Sequence, residues 1–387
     1  MNSLQYILLF VLIGGGFVYF SSCLFALSGH FKQKKTDDGL IPTVSIIVPT
    51  RNEEKNIGLL LDDLLGQTYP SEKIEIIVVD DCSSDKTSKV VRKYMDSDRR
   101  ISLRNTIDSL SSFSHKKKAV HEGILASKGE IIMTTDADCR LTSGWVRGMI
   151  RYLTDSVDLV AGTVSVQGGG FLGMLEAIEF FGIQTMAAGL MNAGFPVTCN
   201  GANLAYRRSA FERVGGYDGV GDMVSGDDDL LMQKIAGENR SQVVFVTDSK
   251  ASVRTKTSGK PGEFINKRAR WASKIGRYPS LTARIFLSSI FTFFVAIPVW
   301  LILTLTLSID SKPVFWALGL KISGDALLTG YGALKSGRPE LILLLPVAEI
   351  LHIPYIIGVT LKGFFGSFEW RGRQTRAISL EYGKKSQ

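Results

Sequence analysis

The stretch LQYILLFVLIGGGFVYFSSCLFAL, residues 4–27, carries no charged side chain. Roughly 20 consecutive apolar residues suffice to cross a bilayer as a helix, and this run is longer. A secretion signal would place basic residues ahead of a shorter apolar core. No basic residue precedes this run, so a retained spanning helix is expected. HFKQKK follows at once, with Lys32, Lys34 and Lys35. Positive residues favour the cytoplasmic side, which puts the amino terminus outside and the chain from Lys32 onward inside.

The last hundred residues impose the same constraint. IFLSSIFTFFVAIPVWLILTLTLSI, residues 285–309, is a second spanning candidate. VFWALGLKISGDALLTGYGAL is interrupted by Lys321 and Asp325, whose four-residue spacing lets them pair on one helix face. LILLLPVAEILHIPYIIGVTL contains Pro346, Glu349, His352 and Pro354, and those prolines would kink or break a helix. If all three segments crossed, WRGRQTR with Arg371, Arg373 and Arg376 would end outside, against the preference of arginine for the cytoplasm. One of the last two segments is therefore expected to be re-entrant or interfacial. The chain divides into an anchor (1–35), a soluble domain (43–280), a membrane region of two or three spanning or re-entrant helices (281–366) and a basic cytoplasmic tail (367–387).

The net charge of +8 suits nucleic acid, an anionic membrane or a phosphorylated substrate. The basic residues flank apolar spans, so membrane binding explains the charge better and no nucleic-acid partner is expected. The four cysteines form no Cys-x-x-Cys pair, which suggests neither a zinc site nor a disulfide framework. No internal repeat is visible.

Within the soluble domain, TVSIIVPT and IEIIVVDD are short β-branched runs ending in polar turns. NIGLLLDDLL and DKTSKVVRKYM have helical periodicity. Strands alternating with helices predict an α/β domain with a mostly parallel sheet covered on both faces. Ligands sit at the carboxyl ends of such strands, and three of these ends are polar: PTRNEE, VDDCSSD and TTDADC. Asp136 and Asp138, spaced by Ala137 on extended backbone, can bracket a divalent cation, or divide metal and sugar hydroxyl between them. Oxygen ligands suit Mg²⁺ or Mn²⁺, ions that commonly bridge diphosphates. Taken alone, an Asp-x-Asp is more often a solvated turn. Asp81 could accept a proton from a base edge, while Asp85 caps the following helix. Of the run Lys116, Lys117 and Lys118, Lys118 is singled out to neutralise phosphate charge.

SIIVPTRNEE, VVDDCSSDKT, KKKAVHEGI and TTDADC occur in this order, followed by CNGANLAYRRSAFERVGGYDG, SGDDDLLMQKI and KRARWASK. Over residues 43–280 this set resembles the inverting family-2 glycosyltransferases, with their GT-A nucleotide-sugar-binding fold; the apolar zones and FEWRGRQTR resemble the family's membrane-embedded branch. The resemblance implies that Asp81 contacts the base and that Pro49, Arg51 and Glu53 line the nucleotide pocket. It puts the metal on Asp138, with Asp136 beside it on the donor sugar or ribose. Asn200, Arg270 and Trp271 would face the acceptor and the diphosphate. The family's acidic dipeptide aligns with Gly226-Asp227, so Asp227 would be the general base and Asp228 the alternative. Lys267 replaces the glutamine of the family's Gln-x-x-Arg-Trp pattern, which departs from processive polymer synthases. The competing reading of Lys267 and Arg268 is a basic patch at the membrane surface. GGGFLGMLEAIEFFGIQTMAAGLMNAGFP reads as a core helix or as an interfacial helix guiding a lipid acceptor. The resemblance implies a metal-dependent transfer from a nucleotide sugar, a UDP-sugar by expectation, to a lipid or lipid-linked acceptor at the cytoplasmic face of a bacterial inner membrane. A processive polysaccharide synthase and a non-catalytic nucleotide-sugar sensor are the alternatives.

Overall fold

The computed structural model describes residues 3–32, 34–106, 113, 115–223, 225–238, 242–370 and 373–376. Helix α1 (Ser3–His30) precedes β1 (Val44–Thr50), α2 (Ile57–Leu65), β2 (Ile74–Asp80), α3 (Thr87–Ser97), β3 (Ile101–Asn105), α4 (His115–Ala126) and β4 (Ile131–Thr134). Next come β5 (Arg140–Leu141), α5 (Trp145–Ile150), β6 (Leu159–Gly162), β7 (Val164–Gln167), α6 (Gly170–Ala193), β8 (Leu204–Arg207) and α7 (Arg208–Arg213). The chain continues through α8 (Asp229–Glu238), β9 (Val243–Val246), β10 (Val253–Lys256), α9 (Pro261–Ala272), α10 (Leu281–Leu307), α11 (Lys312–Lys335) and α12 (Leu345–Phe365). The hairpin β11 (Ser367–Trp370) and β12 (Arg373–Arg376) follows; Arg371 and residues 377–387 of the expected tail lie outside the described residues.

The main sheet has seven strands in the order β3-β2-β1-β4-β8-β6-β9. β1, β2, β3 and β4 run parallel, and β8 is antiparallel to both its neighbours. The unbroken apolar runs are explained by burial on both faces. Ile46, Val48, Ile76 and Val78 pack with α2 and α3 residues on one side, while Ile47, Ile77, Val79 and Ile132 pack with Ala119 and Val120 of α4 on the other. The fold is an α/β arrangement of mostly parallel strands with helices on both faces.

Four segments are long and apolar enough to cross a membrane: Ser3–His30, Gly170–Ala193, Leu281–Leu307 and Pro339–Phe365. The second, α6, is half buried by its neighbours. Its Gln184 exchanges hydrogen bonds with the backbone of Val164 in β7 (2.9 and 2.6 Å), so it is welded to the α/β domain. α11 carries the expected Lys321–Asp325 pair at 2.8 Å. Glu349 of α12 also binds Lys321, and Tyr19 of α1 donates to Asp325 at 2.5 Å. Charges inside apolar helices require such partners. Pro346 falls in the first turn of α12, where a missing N–H costs nothing, whereas Pro354 sits inside the helix without ending it.

α1 meets α6 backbone to backbone. A Cβ on Gly29 would lie 1.9 Å from the Gly189 carbonyl oxygen, and one on Gly189 would lie 2.2 Å from that of Ala26. Small residues permit this approach between apolar helices. We predict that Gly189→Leu separates α1 from α6 and lowers the melting temperature in detergent, while Gly14→Leu, with nothing within 4 Å, leaves it unchanged.

Candidate active site

The register of β1 against β2 and β4 aligns Thr50 with Asp80 and Ile47 with Thr134, so three loops leave the sheet along one edge. Pro49, Arg51, Asp81, Lys116, Asp136 and Arg270 line a small cleft there. Arg51 Nη1 donates to the Asp81 carbonyl at 2.5 Å and lies 3.9 Å from its carboxylate. Thr106 Oγ1 donates to Asp81 Oδ1 at 3.2 Å. The loops interlock: the Asn52 N–H donates to Ser83 Oγ (2.9 Å) and the Ser84 N–H to Asn52 Oδ1 (2.8 Å). Asn52 and Cys82 both hold left-handed backbone, at φ 55° and 57°, a conformation that Asn adopts readily and Cys rarely. Asp85 accepts from the Thr87 N–H at 2.9 Å and from the Glu54 N–H at 3.1 Å, tying the two loops together, but the N-cap position of α3 is Lys86, one residue on, with no side-chain cap. Glu53 is buried outside the cleft lining and accepts from Asn56 Nδ2 at 2.7 Å.

Asp136 and Asp138 depart from the extended geometry expected of them. The Cys139 N–H donates to the Asp136 carbonyl at 3.1 Å, folding residues 136–139 into a turn. Buried Ala137 and Cys139 anchor that turn in the core, and both carboxylates line one cavity. The ammonium that reaches Asp136 belongs to Lys116: its Nζ lies 2.6 Å from Asp136 Oδ1 and 3.1 Å from Asp227 Oδ2. Although buried, it is held well above its ordinary pKa by Asp136, Asp227 and Asp228. Lys118, the residue singled out from sequence, is buried two positions further along α4 and lines neither the cleft nor the cavity.

The three consecutive aspartates separate by environment. Gly226 takes φ 91°, turning the chain just before them. Asp227 and Asp228 line the cavity. Asp228 accepts from the backbone N–H groups of Gly201 (3.0 Å) and Asp229 (2.8 Å) and sits 3.4 Å from Lys274 Nζ. Burial works against its charge, but Lys274, Lys116 and the Asp229 N–H hold it well below the usual carboxylate range. Such a carboxylate is a weak proton acceptor. Asp229 is completely buried, with Lys274 Nζ at 2.8 Å and the Tyr278 hydroxyl at 2.6 Å. Burial pushes it up to about 6, with Lys274 opposing and Asp228 adding. The sequence left the register of these aspartates open; the hydrogen bonds separate them into one facing Lys116 and two held by structure.

The cavity has a volume of about 1580 Å³ and is continuous from Asp136, Asp138, Asn200 and Asp227 to Phe286 and Ile290 of α10 and Tyr355 of α12. Trp271 and Arg270 of α9 also line it, and Arg270 Nη1 donates to Ser225 Oγ at 3.2 Å. Arg268 is 4% exposed, so the surface-patch reading fails for it. Its guanidinium binds Glu179 of α6 and stacks 4.2 Å from the Trp271 ring centroid. Lys267 lies 3.9 Å from Glu176 and 5.7 Å from the Trp271 ring. Sequence reasoning preferred Lys118 to Lys116 within the lysine run, gave Glu176 and Glu179 no partners, and missed Lys274; the charge complement of GDDDL offered the one available signal for the lysines.

Carboxylate oxygens on a turn beside a cleft form a hard donor set that fits Mg²⁺ or Mn²⁺.

The model of glycosyl transferase family 2 matches residues 45–215, and that of glycosyl transferase family group 2 matches residues 131–332, just over half of the chain. The protein belongs to this family. Glycosyltransferase AglE of Haloferax volcanii is 30% identical over 49% of this chain and 59% of its own length. The beta-monoglucosyldiacylglycerol synthase of Trichormus variabilis is 31% identical over 31% of this chain and 25% of its own. The chain thus spans less than two thirds of the length of either relative. In fold it is similar to the mannosyltransferase PcManGT of Pyrobaculum calidifontis, solved with GDP-Man and Mn²⁺, at a TM-score of 0.57 and 21% identity over 89% of this chain and 99% of that one.

Lys274 is the buried counter-charge for both Asp228 and Asp229. Removing one partner of a buried pair typically costs about 3–5 kcal/mol. Lys274→Ala is expected to destabilise the protein by that order, read as a fall in detergent melting temperature, and Lys274→Arg to recover most of it.

Proposed function

We propose that the protein is a membrane-anchored, inverting glycosyltransferase that moves a sugar from a nucleotide diphosphate, a UDP-sugar by preference, onto a lipid or lipid-linked acceptor. The observation that carries this reading is the single cavity joining the carboxylates of the sheet edge to side chains of α10 and α12. A soluble acceptor would have no use for a wall made of apolar membrane helices. The glycolipid synthase among the relatives supports the same acceptor class.

In this reading the cleft between Arg51, Asp81 and Arg270 takes the nucleotide. Asp81 accepts from the base edge, and Arg270 clamps the diphosphate. Asp136 and Asp138 would hold Mg²⁺ or Mn²⁺, which supplies Lewis-acid stabilisation of the departing diphosphate when bound. Lys116, paired with Asp136, adds a second positive charge beside the phosphates. Asp227 takes the proton from the acceptor hydroxyl as the new glycosidic bond forms at the opposite face of the anomeric carbon. Its rival Asp228 is tied to two backbone N–H groups. Trp271 offers an indole for the sugar to stack on. The lysines after α1 support a cytoplasmic position for the catalytic domain.

The test is a panel of nucleotide sugars with membranes and Mn²⁺, with labelled lipid identified by mass. Asp227→Asn is expected to lower the transfer rate by roughly 10²–10⁴-fold while nucleotide binding persists, and chelation to abolish transfer reversibly. Retained full activity in Asp227→Asn removes this residue from the role of base, and label appearing only in water-soluble product removes the lipid acceptor.

A further inference from the structure

Lys267 stands where the Gln-x-x-Arg-Trp pattern has a neutral amide, so this chain adds a positive charge to the motif. Lys267, Arg270 and Trp271 are spaced i, i+3 and i+4, which puts them on one face of α9, and all three line the cavity. The Lys267 side chain keeps 31% exposure. The neighbouring Arg268 side chain is closed off at 3% and is bound to Glu179.

The charge of Lys267 is only partly used inside the protein. Among the described residues its ammonium donates no hydrogen bond. Glu176 lies 3.9 Å away, beyond hydrogen-bond reach. The two oxygens of Glu176 already accept from the Ser258 N–H (2.7 Å) and Oγ (2.8 Å). The Trp271 ring centroid is 5.7 Å from Nζ. Burial lowers the pKa of the ammonium and Arg268 adds to this, while Glu176 and Asp138 oppose it. The group therefore lies within electrostatic range of Asp138 and one helix turn from Arg270.

An ammonium has three donors and no acceptor. Water meets those donors while the cavity is open. A ligand that displaces this water has to offer oxygens of its own, or the charge is left unmet. In the proposed reaction the diphosphate already has Arg270 and Lys116 beside it. The sugar is the part of the donor that lies between the diphosphate and Asp227, along the wall that carries Trp271 and Lys267.

Resting on the reading that this cavity takes a nucleotide sugar, we propose that the transferred sugar is anionic, a hexuronate, and that Lys267 Nζ recognises its carboxylate. A neutral hexose offers Lys267 only hydroxyl oxygens, which are weaker acceptors than a carboxylate. Lys267 is then a specificity-determining residue, and the exchange of amide for ammonium within the motif sets the class of sugar.

The purified full chain in detergent, with Mn²⁺ and no acceptor, is titrated calorimetrically with UDP, UDP-glucose, UDP-glucuronate, UDP-galactose and UDP-galacturonate. Each uronate differs from its hexose by a carboxylate in place of the C6 hydroxymethyl group. One uronate or both are expected to bind about ten- to a hundredfold tighter than the matching hexose. Lys267→Gln, which restores the family's residue, is expected to erase that preference and leave the affinity for UDP unchanged. Lys267→Arg, which keeps the charge, is expected to keep it. Equal affinity within both pairs in the wild type overturns the proposal, as does a preference that survives Lys267→Gln. A loss of UDP affinity in Lys267→Gln as large as the loss for the uronate also overturns it, since the ammonium would then serve the phosphates. Failure of the wild type to bind UDP at all overturns the proposed function, and the assignment of the sugar falls with it.

Discussion

One ammonium, that of Lys116, touches carboxylates from two distant parts of the chain: Asp136 after β4 and Asp227 before α8. Without a cation there, the two segments would repel across the cleft. Its neighbour Lys117 performs a different task from the same turn of α4. It is 1% exposed and donates to the carbonyls of Val220 (2.6 Å) and Met223 (2.9 Å), holding the approach to Asp227. Burial pulls its pKa down to about 8. Lys274, beyond α9, balances the remaining two aspartates. Lys116 of α4 and Lys274 just beyond α9 thus allow an acidic cluster to stay compact beside a cleft.

The apolar helices α10 and α12 form part of the wall of the site. α12 packs on α9 so closely that a Cβ on Gly363 would come 2.5 Å from the Ala269 carbonyl oxygen. Lys362 Nζ donates to Asn266 Oδ1 at 2.7 Å across the same contact. α9 carries Arg270 and Trp271, so the two residues that face cleft and cavity rest on an apolar helix. On the other side, α6 is held by α1 through the Gly29–Gly189 crossing and presents Glu176 and Glu179 to α9. The glutamates and Gln184 explain how a helix as apolar as a membrane span can belong to the α/β domain: Glu176 and Glu179 bond to α9, Gln184 to β7, and Gly189 packs on α1.

Much of this was legible in the residues. Unbroken Val and Ile runs ending in polar turns indicate parallel strands buried on both faces, and the shared edge of the polar clusters follows from parallel pairing. Three features were not. Which lysine of a run of three faces the site depends on where α4 begins, and a run of identical residues has no period to reveal that. The backbone at Asp136 reads as extended because short polar residues fit strand ends and turns alike; the turn is set by the burial of Ala137 and Cys139. Arg268 looked like a surface charge because its partner Glu179 lies 89 positions away, and hydropathy cannot separate a core helix from a spanning one.

The central claim is that the turn after β4 binds a divalent ion together with a nucleotide diphosphate. It is tested most directly by electron paramagnetic resonance titration of Mn²⁺ into the purified protein, with and without UDP, for the wild type and the Asp136→Ala, Asp138→Ala double variant. The account predicts UDP-enhanced Mn²⁺ binding that disappears in the variant. Equal Mn²⁺ binding by both proteins in the presence of UDP would contradict it.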